Sequence, residues 1–94
     1  MYYVYILYSP GKNRYYVGST IDVHGRLEQH NLHYYSGAST RIADDWHLYL
    51  SVECETKSQA LKLEKFIKKM RNREFYMRMK NDEELRKSLL HRFL

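Results

Sequence analysis

Residues 1–8 are an almost unbroken aromatic and β-branched run that marks a strand, and the strand period of two splits it into two faces. Val4 and Ile6 fall on one face with Tyr2 and Tyr8, and Tyr3, Tyr5 and Leu7 fall on the other. Ser9-Pro10-Gly11-Lys12-Asn13 supplies a reversal, and residues 15–19 a second strand, which together predict a hairpin. In that second strand Tyr16 shares a face with Gly18, while Tyr15 and Val17 take the opposite one. Thr20 or Asp22 is placed to cap a helix running to about Asn31, with Val23 and Leu27 as its apolar positions. Residues 32–45 carry no period and form the longest irregular stretch. Alternation returns over 46–54, with Trp46, Leu48, Leu50, Val52 and Cys54 on the buried side and His47, Tyr49, Ser51 and Glu53 on the other. Thr56 and Gln59 have the spacing of a capping box for a helix to about Met70, striped by Ala60, Leu61, Leu63, Ile67 and Met70. Residues 71–80 read as a short basic helix or turn. Asn81 with Glu84 is placed to cap a last helix carrying Leu85, Leu89, Leu90 and Phe93.

The order is ββαβα followed by further helix. Three strands without long crossovers predict an α+β fold, a small three-stranded, mainly antiparallel sheet flanked by helices. A chain of 94 residues is expected to be one domain over 1–94, since two cores would each be too small to fold unaided. Its core is expected over about residues 2–70, with basic helices over 71–94.

Composition narrows the function classes. The single cysteine, Cys54, excludes an internal disulfide and any multi-cysteine metal site. It lies on the buried side of its strand and reads as a small core residue. A reducing compartment, and so the cytoplasm, is expected. No apolar run approaches the roughly 18 residues of a membrane span, and residues 1–8 lack the marks of a signal peptide. Of the ten tyrosines, nine lie before residue 50, which suits an aromatic core with its hydroxyls at the rim. Residues 1–56 carry four Lys+Arg against six acids, and residues 57–94 carry twelve against five. A basic half joined to a near-neutral half fits a polyanion partner, although a solvated helical surface gives the same pattern.

A few residues stand out as candidate chemistry. Glu64 falls within the apolar arc of its helix, where a carboxylate needs a partner, a metal or a way out to solvent. Arg26 and His30 are one turn apart on the first helix, either as a surface arginine with a capping or partly buried histidine or as an arginine fork for phosphate with an imidazole beside it. Tyr5 and Tyr16, on adjacent strands, can present two phenols to one pocket or form a buried aromatic pair. His24, His33, His47 and His91 make no metal-ligand spacing.

Tyr3-Val4-Tyr5, ten residues, then Tyr16-Val17-Gly18 resembles the paired motif of the GIY-YIG nuclease superfamily. Arg26, His30 and Glu64 follow in the order and on the elements where that family carries its arginine, its His or Tyr, and its metal-binding glutamate. The resemblance covers about residues 2–70. It is nearest to the stand-alone, single-domain bacterial branch, itself similar to the nuclease domains of UvrC-type repair enzymes and phage homing endonucleases. Tyr3 stands in place of the Gly of the first motif, and Ser19 and Thr20 stand where a Lys or Thr is frequent. Only Asn72 and Asn81 are candidates for the late asparagine of some homing enzymes.

The resemblance implies hydrolysis of phosphodiester bonds with one divalent ion, Mg²⁺ or Mn²⁺, on Glu64. Arg26 would neutralise charge, and Tyr5, Tyr16 and His30 would position or deprotonate water, with the general base left open. Arg14, Thr40, Arg41, Lys65, Lys68, Lys69 and Arg71 are the candidate nucleic-acid contacts. The expected partner is nucleic acid, DNA in preference to RNA, cut in a structure-directed or weakly sequence-specific manner by a monomer, with or without a protein partner that supplies specificity. A second reading is a non-catalytic nucleic-acid-binding module of the same fold. A third is a small protein-interaction domain built on the C-terminal helix.

Overall fold

The computed structural model describes residues 1–33 and 39–94, apart from the side chains of Ser39 and Arg41. Strand β1 (Tyr2–Ser9) lies in the middle of a three-stranded sheet, between β2 (Arg14–Thr20) and β3 (His47–Cys54). Both pairings are antiparallel. Helix α1 (Val23–Asn31) follows β2, and a 3₁₀ turn over Ser39–Ile42 precedes β3. Helices α2 (Lys57–Met70), α3 (Arg73–Asn81) and α4 (Glu83–Arg92) complete the order. No helix of the described residues is long and apolar enough to cross a membrane.

The alternation of β1 divides the interior in two. Val4 and Ile6 join Val17, Val52, Cys54 and residues of α2, α3 and α4 in the larger cluster. Tyr5 and Leu7 join Val23, Ala43 and Trp46 in the smaller one, with Tyr3, Tyr16 and Leu27 packed against it. The larger cluster runs past residue 70, for Phe75, Tyr76, Met79 and Leu89 are all buried in it.

β3 departs from the expected alternation. Ile6 pairs with Leu50 but Leu7 pairs with Leu48, so Tyr49 is an extra residue in the ladder, a β-bulge. A one-residue insertion reverses the faces beyond it. Leu50, Val52 and Cys54 therefore face the larger cluster, while Trp46 falls in the smaller one. Leu48 is left exposed, and Tyr49 packs beside Leu50.

The helix ends are set by side-chain caps. Asp22 accepts from the Gly25 amide at the start of α1. Thr56 Oγ1 accepts from the Gln59 amide, and Gln59 Oε1 reaches back to the Glu55 amide, one residue further than a capping box requires. Residues 71–80 are largely helix rather than turn, because Asn72 accepts from the Glu74 and Phe75 amides. Asp82, not Asn81, caps α4 through the Leu85 amide. The stripe of α2 is narrower than expected. Ala60, Leu63 and Ile67 are buried, but Leu61 and Met70 are exposed. Leu61 lies beyond Glu64 on the side turned away from the sheet, and Met70 is the last helical residue.

Candidate active site

The site is built around the free edge of β2. Tyr5 and Gly18 are direct partners across β1 and β2. A Cβ on Gly18 would lie 2.5 Å from the Tyr5 hydroxyl and 2.7 Å from its Cζ. Gly18 is thus the position over which the Tyr5 ring lies, and a strand glycine often marks such an approach. Tyr5 is 1% exposed, and its hydroxyl is 3.0 Å from His30 Nε2. His30 Nδ1 is 2.7 Å from Thr40 Oγ1, and the Thr40 carbonyl accepts from Trp46 Nε1 at 2.9 Å. A buried line therefore runs Tyr5–His30–Thr40–Trp46 from sheet to loop.

Tyr16 flanks this line on the open side. Its ring centroid is 4.9 Å from that of His30 and 6.3 Å from that of Tyr5. Tyr16 is half-buried, whereas Tyr5 and His30 are buried. Arg26, also half-buried, sits one helical turn before His30. Burial first, and the Arg26 charge second, hold the His30 pKa below the usual histidine value. The imidazole is thereby kept neutral, with one nitrogen donating and the other accepting.

Glu64 approaches the same edge from the other face of the sheet. Its Oε1 accepts from Ser19 Oγ at 2.6 Å, and its Oε2 is 2.7 Å from Lys68 Nζ. Its side chain is 16% exposed, so this is a carboxylate at the rim of the apolar stripe, paired with lysine and hydroxyl. Lys68 Nζ also lies 6.0 Å from the centre of the Tyr16 ring. That lysine joins the two halves of the site around the edge of β2. Lysine is absent at Ser19 and Thr20, and an ammonium from one turn further along α2 reaches this region instead.

Among the described residues no three His, Cys, Asp or Glu side chains could together hold an ion. A divalent ion would have Glu64 as its one protein carboxylate. A partly exposed carboxylate beside the Ser19 hydroxyl is a hard oxygen donor set that fits Mg²⁺ or Mn²⁺ with water completing the shell, provided Lys68 moves off Oε2.

The expected nucleic-acid contacts divide. Arg14, Lys68 and Arg71 are exposed near Tyr15 and Tyr16. Lys65 and Lys69 are exposed on the face of α2 turned from the sheet, each about 100° round the helix from Glu64 or Lys68. Thr40 is 2% exposed, with its hydroxyl 2.7 Å from His30 Nδ1. The Arg41 side chain lies outside the described residues. Asp45 clasps Ser9 Oγ and the Gly11 amide, and these two donors hold its carboxyl below the usual range. Asn72 is the cap of α3, and Asn81 is its last residue.

The contact of Thr40 with His30 was invisible in the sequence, since Thr40 lies within an aperiodic stretch. The Lys68 contact had a signal, the i,i+4 spacing from Glu64. A family model described as the GIY-YIG catalytic domain matches residues 1–80. No curated protein and no solved structure matches the chain.

Proposed function

The chain belongs to the GIY-YIG family, and from that premise we propose that it is an endonuclease hydrolysing phosphodiester bonds of DNA with one divalent ion, in a structure-directed or weakly sequence-specific manner. The observation that supports this most is the meeting of Glu64 with Tyr16 around the β2 edge through Lys68, beside the Tyr5–His30 pair.

Each side chain has a part its surroundings suit. Arg26 offers a guanidinium to the charge that grows on the phosphate. Tyr16, the half-buried phenol, orients the attacking water. Tyr5 and Thr40 hold His30, whose neutral ring accepts a proton at one nitrogen while the other donates. Both imidazole nitrogens are engaged and buried, so His30 serves to hold the Tyr5 phenol in place rather than to meet water directly. Glu64 and Ser19 would hold the ion, which would supply charge neutralisation at the phosphate.

The test is cleavage of labelled single-stranded, duplex and branched DNA, and of RNA, in Mg²⁺ and Mn²⁺, with Glu64→Gln in parallel. Metal-dependent cutting is expected to fall at least about 100-fold in the variant. Its melting temperature should stay near wild type, because Glu64 lies at the rim of the core. Equal cutting by both proteins would refute the assignment. One observation favours the non-catalytic reading: Lys68 already neutralises the carboxylate that the ion needs. Salt-sensitive binding in EDTA, with no cutting by the wild type in either metal, would decide for that reading.

A further inference from the structure

Beyond Tyr16 the edge of β2 opens into a trough. A hollow of about 530 Å³ is lined by Asn13, Arg14, Tyr15, Arg71, Arg73 and Tyr76. A second, of about 270 Å³, shares Tyr15, Arg71 and Tyr76 with it and adds Tyr16 and Lys68. The two hollows share these three walls and so lie side by side, one at Tyr16 and the other at the β1–β2 turn.

Its chemistry is one-sided. Three guanidinium groups line the larger hollow and no carboxylate does. Among the described residues, none of Arg14, Arg71 and Arg73 takes part in an ion pair. One of the three, Arg73, is held in place. Arg73 donates to Asn13 Oδ1 at 3.1 Å and to the Asn13 carbonyl at 3.4 Å, with its Cζ 5.6 Å from the centre of the Tyr15 ring. Asn13 in turn accepts from the Tyr8 hydroxyl at 2.9 Å. Arg71 ends α2 in the left-handed region, at φ 42° and ψ 44°, where glycine is the ordinary residue. The backbone gains nothing from a side chain there, and this one lines both hollows. Tyr15 and Tyr76, with ring centroids 5.1 Å apart, form the wall.

Like charges gathered without a counter-charge repel one another, and an oxyanion relieves that repulsion. Arginine forks match phosphate oxygens. We infer that the trough is a phosphate subsite, in which Arg14, Arg71 and Arg73 grip the backbone of a nucleic-acid strand to one side of the bond placed at Tyr16. The inference rests on the reading of nucleic acid as substrate. It adds where the strand runs and which residues hold it away from the reacting bond.

The test is fluorescence anisotropy of a labelled oligonucleotide in EDTA, between about 50 and 200 mM salt. The double variant Arg14→Ala/Arg71→Gly removes two guanidinium groups, and glycine suits the backbone at 71, so its melting temperature should not fall. Its affinity should drop roughly tenfold or more. Its plot of log affinity against log salt should be shallower by about one unit for each phosphate it no longer grips. Lys57→Ala/Lys87→Ala, on the exposed outer faces of α2 and α4 away from the trough, should bind as wild type. Wild-type affinity and slope in the trough variant, or an equal weakening in the outer-face variant, would overturn the subsite alone. A wild type that binds no oligonucleotide would overturn both the subsite and the nuclease. Trough-dependent binding with no cleavage in either metal would overturn the nuclease and uphold the subsite.

Discussion

His30 is 2% exposed, with a phenol on one nitrogen and a threonine on the other. Its folded pKa is depressed, chiefly by burial. In the window between that value and the ordinary 6.5, the unfolded chain binds the proton and the folded one does not. The stabilisation is therefore complete above about pH 6.5 and is lost as the pH falls towards the folded value. Urea melts on either side of this window should show wild type weakening in acid, with a flatter profile in His30→Gln. Equal slopes in the two proteins would remove His30 as the cause. The placement of these rings was legible in the sequence. A period of two puts Tyr5 with Tyr3 and Leu7 on one face of β1 and Tyr16 with Gly18 on one face of β2, the pairing of Tyr5 with Gly18 brings these faces together, and the i,i+4 spacing puts Arg26 beside His30. What no period encodes is Thr40, whose position against His30 depends on how an irregular segment folds back.

At the scale of elements, both hairpin strands were legible from their aromatic and β-branched runs around a turn, and α1 and α2 from their apolar spacing and caps. The bulge at Tyr49 was not, because Trp46 to Cys54 alternates without a fault and the insertion shows only in the pairing with β1. Residues 71–81 gave a mixed signal, since Phe75, Tyr76 and Met79 form a stripe of only three apolar positions among basic residues. α2 matters most to the site, as it carries Glu64 and Lys68. Its start depends on the Thr56 hydroxyl. Thr56→Ala should cost about 1 kcal/mol, read as a lower urea midpoint with an unchanged slope. Thr56→Ser should restore most of it.

At the scale of the molecule, the basic C-terminal half is part of the core rather than an appendage. Leu89 is 5% exposed, Leu85, Leu90 and Phe93 pack on the same cluster, and Gln59 Nε2 donates to the Leu90 carbonyl. The apolar face of α4, one basis for reading the chain as an interaction domain, is thus turned inward. Leu89→Ala should destabilise by about 2–5 kcal/mol, visible as a lower thermal midpoint. A change well under 1 kcal/mol would mean that α4 is only loosely docked. The strong positive balance of residues 57–94 resides on the outer faces of the helices that close this core, so stability and charge are carried by opposite sides of the same helices.

Trp46 is the only tryptophan of the chain, it is 3% exposed, and its indole donates to the carbonyl of the residue that braces His30. The protein therefore contains one indole fluorophore, wired to the interior end of the Tyr5–His30–Thr40 line. Its emission should be blue-shifted in the folded state. Any ligand or proton that shifts His30 should change its intensity, so occupancy of the site can be followed by light from the native chain, without a label and without turnover.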